Sequence, residues 1–125
     1  MQSRPVDLNL FKVHFPVMAV VSILHRISGV VLFLLIPVLL GLLERSLRSE
    51  AEWEHMHRFL TQSQIVKTLI FLSLSALAYH TVAGLRHLSM DLGFGDSLKI
   101  GRLGAYGVLL LSTLFAVFLG VWLWA

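Results

Sequence analysis

"ISGVVLFLLIPVLLGLL", residues 27–43, runs for 17 positions without a charged residue. Upstream it continues through "VMAVVSILHR", so the apolar run extends from Val17 to Leu43, 27 residues. As a helix it measures about 40 Å, against a bilayer core of about 30 Å. Backbone amides in hydrocarbon must be satisfied within their own segment, which makes the run a helix and not a strand. It is too long for the core, so its first turns, "SILHR" included, are expected at the membrane edge. Pro37 lies inside the span and is expected to kink it.

Two further runs are long enough to cross: Ile65–Leu88 and Leu103–Trp124. The chain has 125 residues, 57% hydrophobic and 14% charged, where a soluble domain carries about 25% charged residues. So short a chain has too little interior to hide that surface, and its expected solvent is lipid. It has no cysteine, which excludes disulfides and thiolate-held metal or iron–sulfur clusters. The ten Lys and Arg are scattered singly and form no phosphate-tracking patch, so nucleic acid is not an expected partner. Arg4, Pro5 and Asp7 open the chain where a cleavable leader would carry a short apolar core. The expected fold is all-α: a single membrane-anchor domain over residues 1–125 with three transmembrane helices. "ERSLRSEAEWEHMHRFLTQSQ" reads as a polar loop, with Trp53 and Phe59 as interface anchors. "DLGFGDSLKIG" reads as a turn.

Three spans put the N-terminus and the second loop on one side. That side carries Arg4, Lys12, Arg26, Arg86, Lys99 and Arg102, against Arg45, Arg48, Arg58 and Lys67 on the other. The bias predicts a cytoplasmic N-terminus and a periplasmic C-terminus.

Polar residues enter the spans in two places. In "SILHRISG", Ser22 and Arg26 are one turn apart on one helical face, Gly29 shares it, and His25 lies to one side. In "AYHTVAGLRHLSMD", His80, Gly84, His87 and Asp91 form a narrow stripe at about 100° per residue, and Arg86 leaves it by about 120°. The second helix runs opposite to the first, so both clusters fall at the same membrane level. Ionisable groups in a span cost about 2.5–3.5 kcal/mol at mid-helix and face a site, a cavity or a partner. Arg26 and Arg86 would otherwise snorkel to headgroups. His87 and Asp91 would otherwise be the wet end of their helix. His80 lies about 12 Å inside its span, where it serves either as a helix–helix hydrogen-bonding residue or as a cofactor ligand. A haem needs an imidazole with a free nitrogen and a flat space beside it. Gly84, one turn beyond His80, offers that space, and His25, Arg26 and His87 are placed for propionates. The chain has one deep histidine, so a second axial ligand would come from another subunit.

"RPVDLNLFKVHFPVMAVVSILHRIS" followed by "HTVAGLRHLSMDLG" is similar to the cytochrome b subunits of succinate dehydrogenase, the larger membrane anchors of respiratory complex II. The likeness covers essentially the whole chain. Arg4, Pro5, Ser22, His25, Arg26 and Ser28 fill the first motif, and His80, Gly84, Arg86, His87, Asp91 and Gly93 fill the second. The resemblance implies His80 as an axial ligand of haem b, with the other ligand from the second membrane-anchor subunit. It also implies Ser22 and Arg26 in the ubiquinone pocket, and His25 and His87 near the propionates. The implied partners are a flavoprotein subunit, an iron–sulfur subunit and the second anchor, in the bacterial inner membrane. The chain would then carry no catalysis alone but serve an oxidoreductase complex. Two alternatives stand beside it: a fumarate reductase anchor using menaquinone, and a purely structural anchor whose histidines pack helices.

Overall fold

A computed structural model describes residues 15–94 and 97–125. Arg4, Pro5 and Lys12, which entered the motif and the charge count, lie outside the described residues. Four helices follow in order: α1 Val17–Ser46, α2 Glu50–Gln62, α3 Gln64–Asp91 and α4 Leu98–Trp124. Of these, α1, α3 and α4 are long and apolar enough to cross a membrane, as the three runs predicted. Among the described residues there is no strand.

α1 begins behind Pro16, whose carbonyl accepts from the Ala19 N–H at 2.8 Å. It passes through Pro37 as one helix of 30 residues. α3 ends in a glycine cap: the Phe94 N–H reaches the Ser89 carbonyl and the Gly93 N–H the Met90 carbonyl, both at 2.9 Å. Gly93 sits there at φ +83°, a left-handed position that glycine occupies without a Cβ penalty. α4 starts at Leu98, five residues before the expected span, because the Ser97 hydroxyl accepts from the Ile100 N–H and caps the first turn.

The polar stretch after α1 is not a loop: most of it is α2. Ser49 caps it by accepting from the Glu52 N–H, and Glu50 and Glu52 stand in the first turn, where negative charge suits the helix dipole. Its apolar residues Trp53, Met56 and Leu60 recur at helical spacing, and Met56 is buried. Charge alternation hid that stripe in the sequence. Two exposed ion pairs, Arg48–Glu44 at 2.7 Å and Arg45–Glu52 at 3.4 Å, decorate the α1–α2 corner. Such surface pairs contribute little to stability.

α3 is the central helix, packed on both α1 and α4. The buried core joins Val21 of α1, Ala83 of α3, and Ala105 and Val108 of α4. These are small side chains, and Gly101, one turn before Ala105, is buried as well. Small residues one turn apart let helix backbones approach closely, which is how helices associate where lipid removes the hydrophobic drive. At the opposite end of α4, the Trp124 indole N–H donates to Gln64 Oε1 at 3.0 Å, and its ring meets Phe71 edge-on. Most large apolar side chains, Phe33 and Leu34 among them, remain exposed, as expected of a chain whose solvent is lipid or a partner subunit.

Candidate functional site

The end of the bundle where α1 begins and α3 ends carries both polar clusters at one level. α1 presents Val21, His25 and Ser28 to α3 at four- and three-residue spacing, one continuous face. The Tyr79 hydroxyl donates to the Val21 carbonyl at 2.8 Å and fixes the two helices here. Three imidazoles then gather. His25 stacks on His80, with centroids 4.1 Å apart and planes 15° apart. His87 stands 5.1 Å from His25, tilted by 41°.

His80 is held at one ring nitrogen. Its Nδ1 lies 3.0 Å from Ser28 Oγ and 3.2 Å from the His25 carbonyl oxygen. The Ser28 hydroxyl donates its proton to that same carbonyl at 2.8 Å. A carbonyl can only accept, and a hydroxyl that has spent its proton can only accept. The proton between these groups therefore belongs to Nδ1, which leaves Nε2 with a bare lone pair. This is the pattern of metal-ligating histidines, whose second nitrogen donates to a carbonyl or similar acceptor. The arrangement fits an iron-bound imidazole.

Two glycines make the packing possible. A Cβ at Gly29 would come within 3.1 Å of His80 Cε1, and one at Gly84 within 3.3 Å of His25 Nε2. Gly84 does leave space beside His80, and in this structure the His25 ring takes it. His25 Nε2 is buried there without a hydrogen-bond partner among the described residues. A buried unpaired polar nitrogen costs about 1–3 kcal/mol, so His25 gains by meeting a hydrogen-bond partner.

The stripe on α3 keeps three of the four residues that the helical wheel put on it. His80, Gly84 and His87 face α1, while Asp91 is exposed at the helix end. Arg86 turns to α4, where its guanidinium donates to the Gly101 carbonyl at 2.9 Å and its stem lies against Gly104. On α1 the expected grouping separates. Gly29 turns to His80 with Ser28 and His25, Ser22 is half-buried, and Arg26 is exposed. Ser22 and Arg26 are thus available to groups outside this chain. Among the described residues no set of three His, Cys, Asp or Glu side chains is arranged to hold a metal ion. What the cluster offers is a single imidazole, His80, with its Nδ1 engaged by Ser28 and the His25 carbonyl.

The profile of the family described as succinate dehydrogenase/fumarate reductase transmembrane subunit matches residues 1–119. The chain belongs to that family. Its relatives include the succinate dehydrogenase cytochrome b556 subunit of Coxiella burnetii, 47% identical over 97% of both chains. That of Rickettsia bellii is 30% identical over 94% of this chain and 91% of its own. That of Paracoccus denitrificans is 28% identical over 92% and 88%. The resemblance drawn from the two motifs is borne out, and both lie within the matched residues. With three apolar helices and bacterial relatives of this kind, the chain is a multi-pass protein of the bacterial inner membrane.

Sequence reading gave no task to Ser28 or Tyr79. Ser28 occupies a motif position, which was the available signal. Its contact with His80, 52 residues away in sequence, depends on how two helices meet, and no single-helix wheel contains that.

Proposed function

We propose that this chain anchors a succinate dehydrogenase in the membrane and carries electrons from the iron–sulfur subunit to ubiquinone. It shares a haem b with a second anchor subunit, and a flavoprotein subunit completes the complex. The observation that carries this reading is the hydrogen bonding of His80 at the level of the polar cluster: Nδ1 lies against Ser28 Oγ and the His25 carbonyl, an arrangement that suits Nε2 to a ligand role.

Bound haem b would supply a one-electron store beside the quinone site, its potential set by ligands and burial. His80 would ligate the iron through Nε2. Gly84 would border the ring once the His25 imidazole turns out of the space it fills beside His80. His25, with its unpaired Nε2, would join His87 and Arg26 in holding the propionates. Ser22 would donate its hydroxyl proton to a quinone carbonyl. Arg26 would stabilise the negative charge that develops on the quinone ring as it is reduced, a large effect where water is scarce. This end of the bundle would face the cytoplasm, where a docked iron–sulfur subunit delivers its electrons.

The family spans fumarate reductases too, which favours keeping one second reading: an anchor that runs the reaction in reverse with menaquinone. The test is to purify the complex through this chain, record its reduced-minus-oxidised spectrum, and assay it with both quinones. A low-spin haem b spectrum and preferential turnover with ubiquinone are expected. Preference for menaquinone would transfer the assignment to the second reading. An intact complex without haem would leave only a structural anchor.

A further inference from the structure

Ser28 is the one polar residue buried as a whole among the described residues, and its side-chain hydrogen bonds go to one imidazole and the backbone beneath it. It lies one turn above His25 on α1 and reaches across to α3. Its hydroxyl donates to the His25 carbonyl at 2.8 Å and faces His80 Nδ1 at 3.0 Å. A serine that only satisfied itself within a membrane helix would bond a carbonyl one turn back, as Ser73, Thr81 and Thr113 do. Ser28 makes that bond as well, but the bond has a consequence the others lack. By spending its proton on the backbone, the hydroxyl becomes an obligate acceptor, aimed at His80.

We infer that Ser28 is a positioning residue for the haem ligand: together with the His25 carbonyl it fixes the His80 ring and tautomer and sets the electron-donor strength of Nε2. The inference rests on the reading of His80 as the axial ligand. Its physical content is specific. An imidazole whose Nδ1–H is shared between two acceptors gains anionic character and binds the oxidised iron more strongly than the reduced iron. Removing the hydroxyl leaves the carbonyl as a lone acceptor and weakens that preference. Gly29 completes the seat, since any side chain there would push on His80 Cε1.

The test uses the assembled complex bearing Ser28→Ala, Ser28→Thr and, as a separate arm, His80→Leu, read by redox titration of the haem and by electron paramagnetic resonance of its ferric form. Ser28→Ala is expected to keep a low-spin haem, shift its reduction equilibrium about three- to tenfold toward the reduced form, and move the low-spin resonances. Tenfold corresponds to about 59 mV for a one-electron couple. Ser28→Thr retains the hydroxyl and is expected to restore most of the shift. A wild-type titration and wild-type resonances in Ser28→Ala would overturn the inference. So would loss of haem in both Ser28 variants, because the residue would then serve the fold and not the imidazole. The His80→Leu arm separates the two failures. If it leaves the bis-imidazole signature unaltered, the ligand assignment itself is wrong; if it abolishes that signature while Ser28→Ala changes nothing, only the role of Ser28 is lost.

Discussion

The imidazoles of His25 and His80 are stacked face to face, 4.1 Å between centroids, although they stand on different helices. The stack joins two sequence motifs that are separate along the chain. It also ties the carbonyl of one histidine to the ring nitrogen of the other. The seat of the His80 ring and the stack are therefore one unit: moving α1 relative to α3 moves the Ser28 hydroxyl and the His25 carbonyl that meet Nδ1.

That coupling makes Gly29 a sensitive position. Gly29→Ala places a methyl about 3.1 Å from His80 Cε1, inside ordinary contact distance, so the ring or the helix must yield. The expected outcome is a shifted or broadened haem absorption band and reduced haem content in purified complex. Gly41→Ala, where nothing lies within 4 Å, is the matched control and should leave the spectrum unaltered.

Arg86 holds a different pair of helices. Its guanidinium donates to the Gly101 carbonyl from α3 to α4, and hydrogen bonds from charged donors contribute about 1.5–3 kcal/mol. Arg86→Met is expected to lower the thermal stability of the complex in detergent while leaving the haem spectrum in place. A spectrum that changes as much as the melting temperature would mean Arg86 belongs to the haem site instead.

Arg26, exposed at the same level, is the residue proposed to meet the quinone. Arg26→Leu should lower succinate–ubiquinone turnover by about 100-fold, the scale of losing one charge-stabilising donor. Dye-linked succinate oxidation, which bypasses the quinone, should persist. Unchanged quinone turnover would remove Arg26 from that role.

At the other end of the bundle, Met56 is the side chain that seats α2. Met56→Ala is expected to cost about 2–5 kcal/mol of local stability, measured as faster amide exchange across residues 50–62, with little effect on exchange in α3 near His80.

The fold and the site were legible to different depths. Hydropathy gave the three spans because lipid imposes length and backbone satisfaction together. The residues flanking them followed other signals: Ser97 starts α4 earlier than hydropathy suggests, and α2 was hidden by its own alternating charges. At the site, periodicity on one helix sufficed to set His80, Gly84 and His87 on one stripe and to send Arg86 away. It could not foresee that His25 would lie on the His80 face and against Gly84, nor that Ser28 would cap Nδ1. Those are relations between helices, decided by Val21, Ala83 and the Tyr79–Val21 hydrogen bond.

The central claim is that His80 is a haem ligand, and the reduced-minus-oxidised spectrum of the complex carrying His80→Leu tests it most directly. Loss of the haem, or conversion from a low-spin bis-imidazole to a five-coordinate spectrum in a complex that still assembles and oxidises succinate, is the expected result. A low-spin bis-imidazole spectrum unchanged from wild type would contradict it.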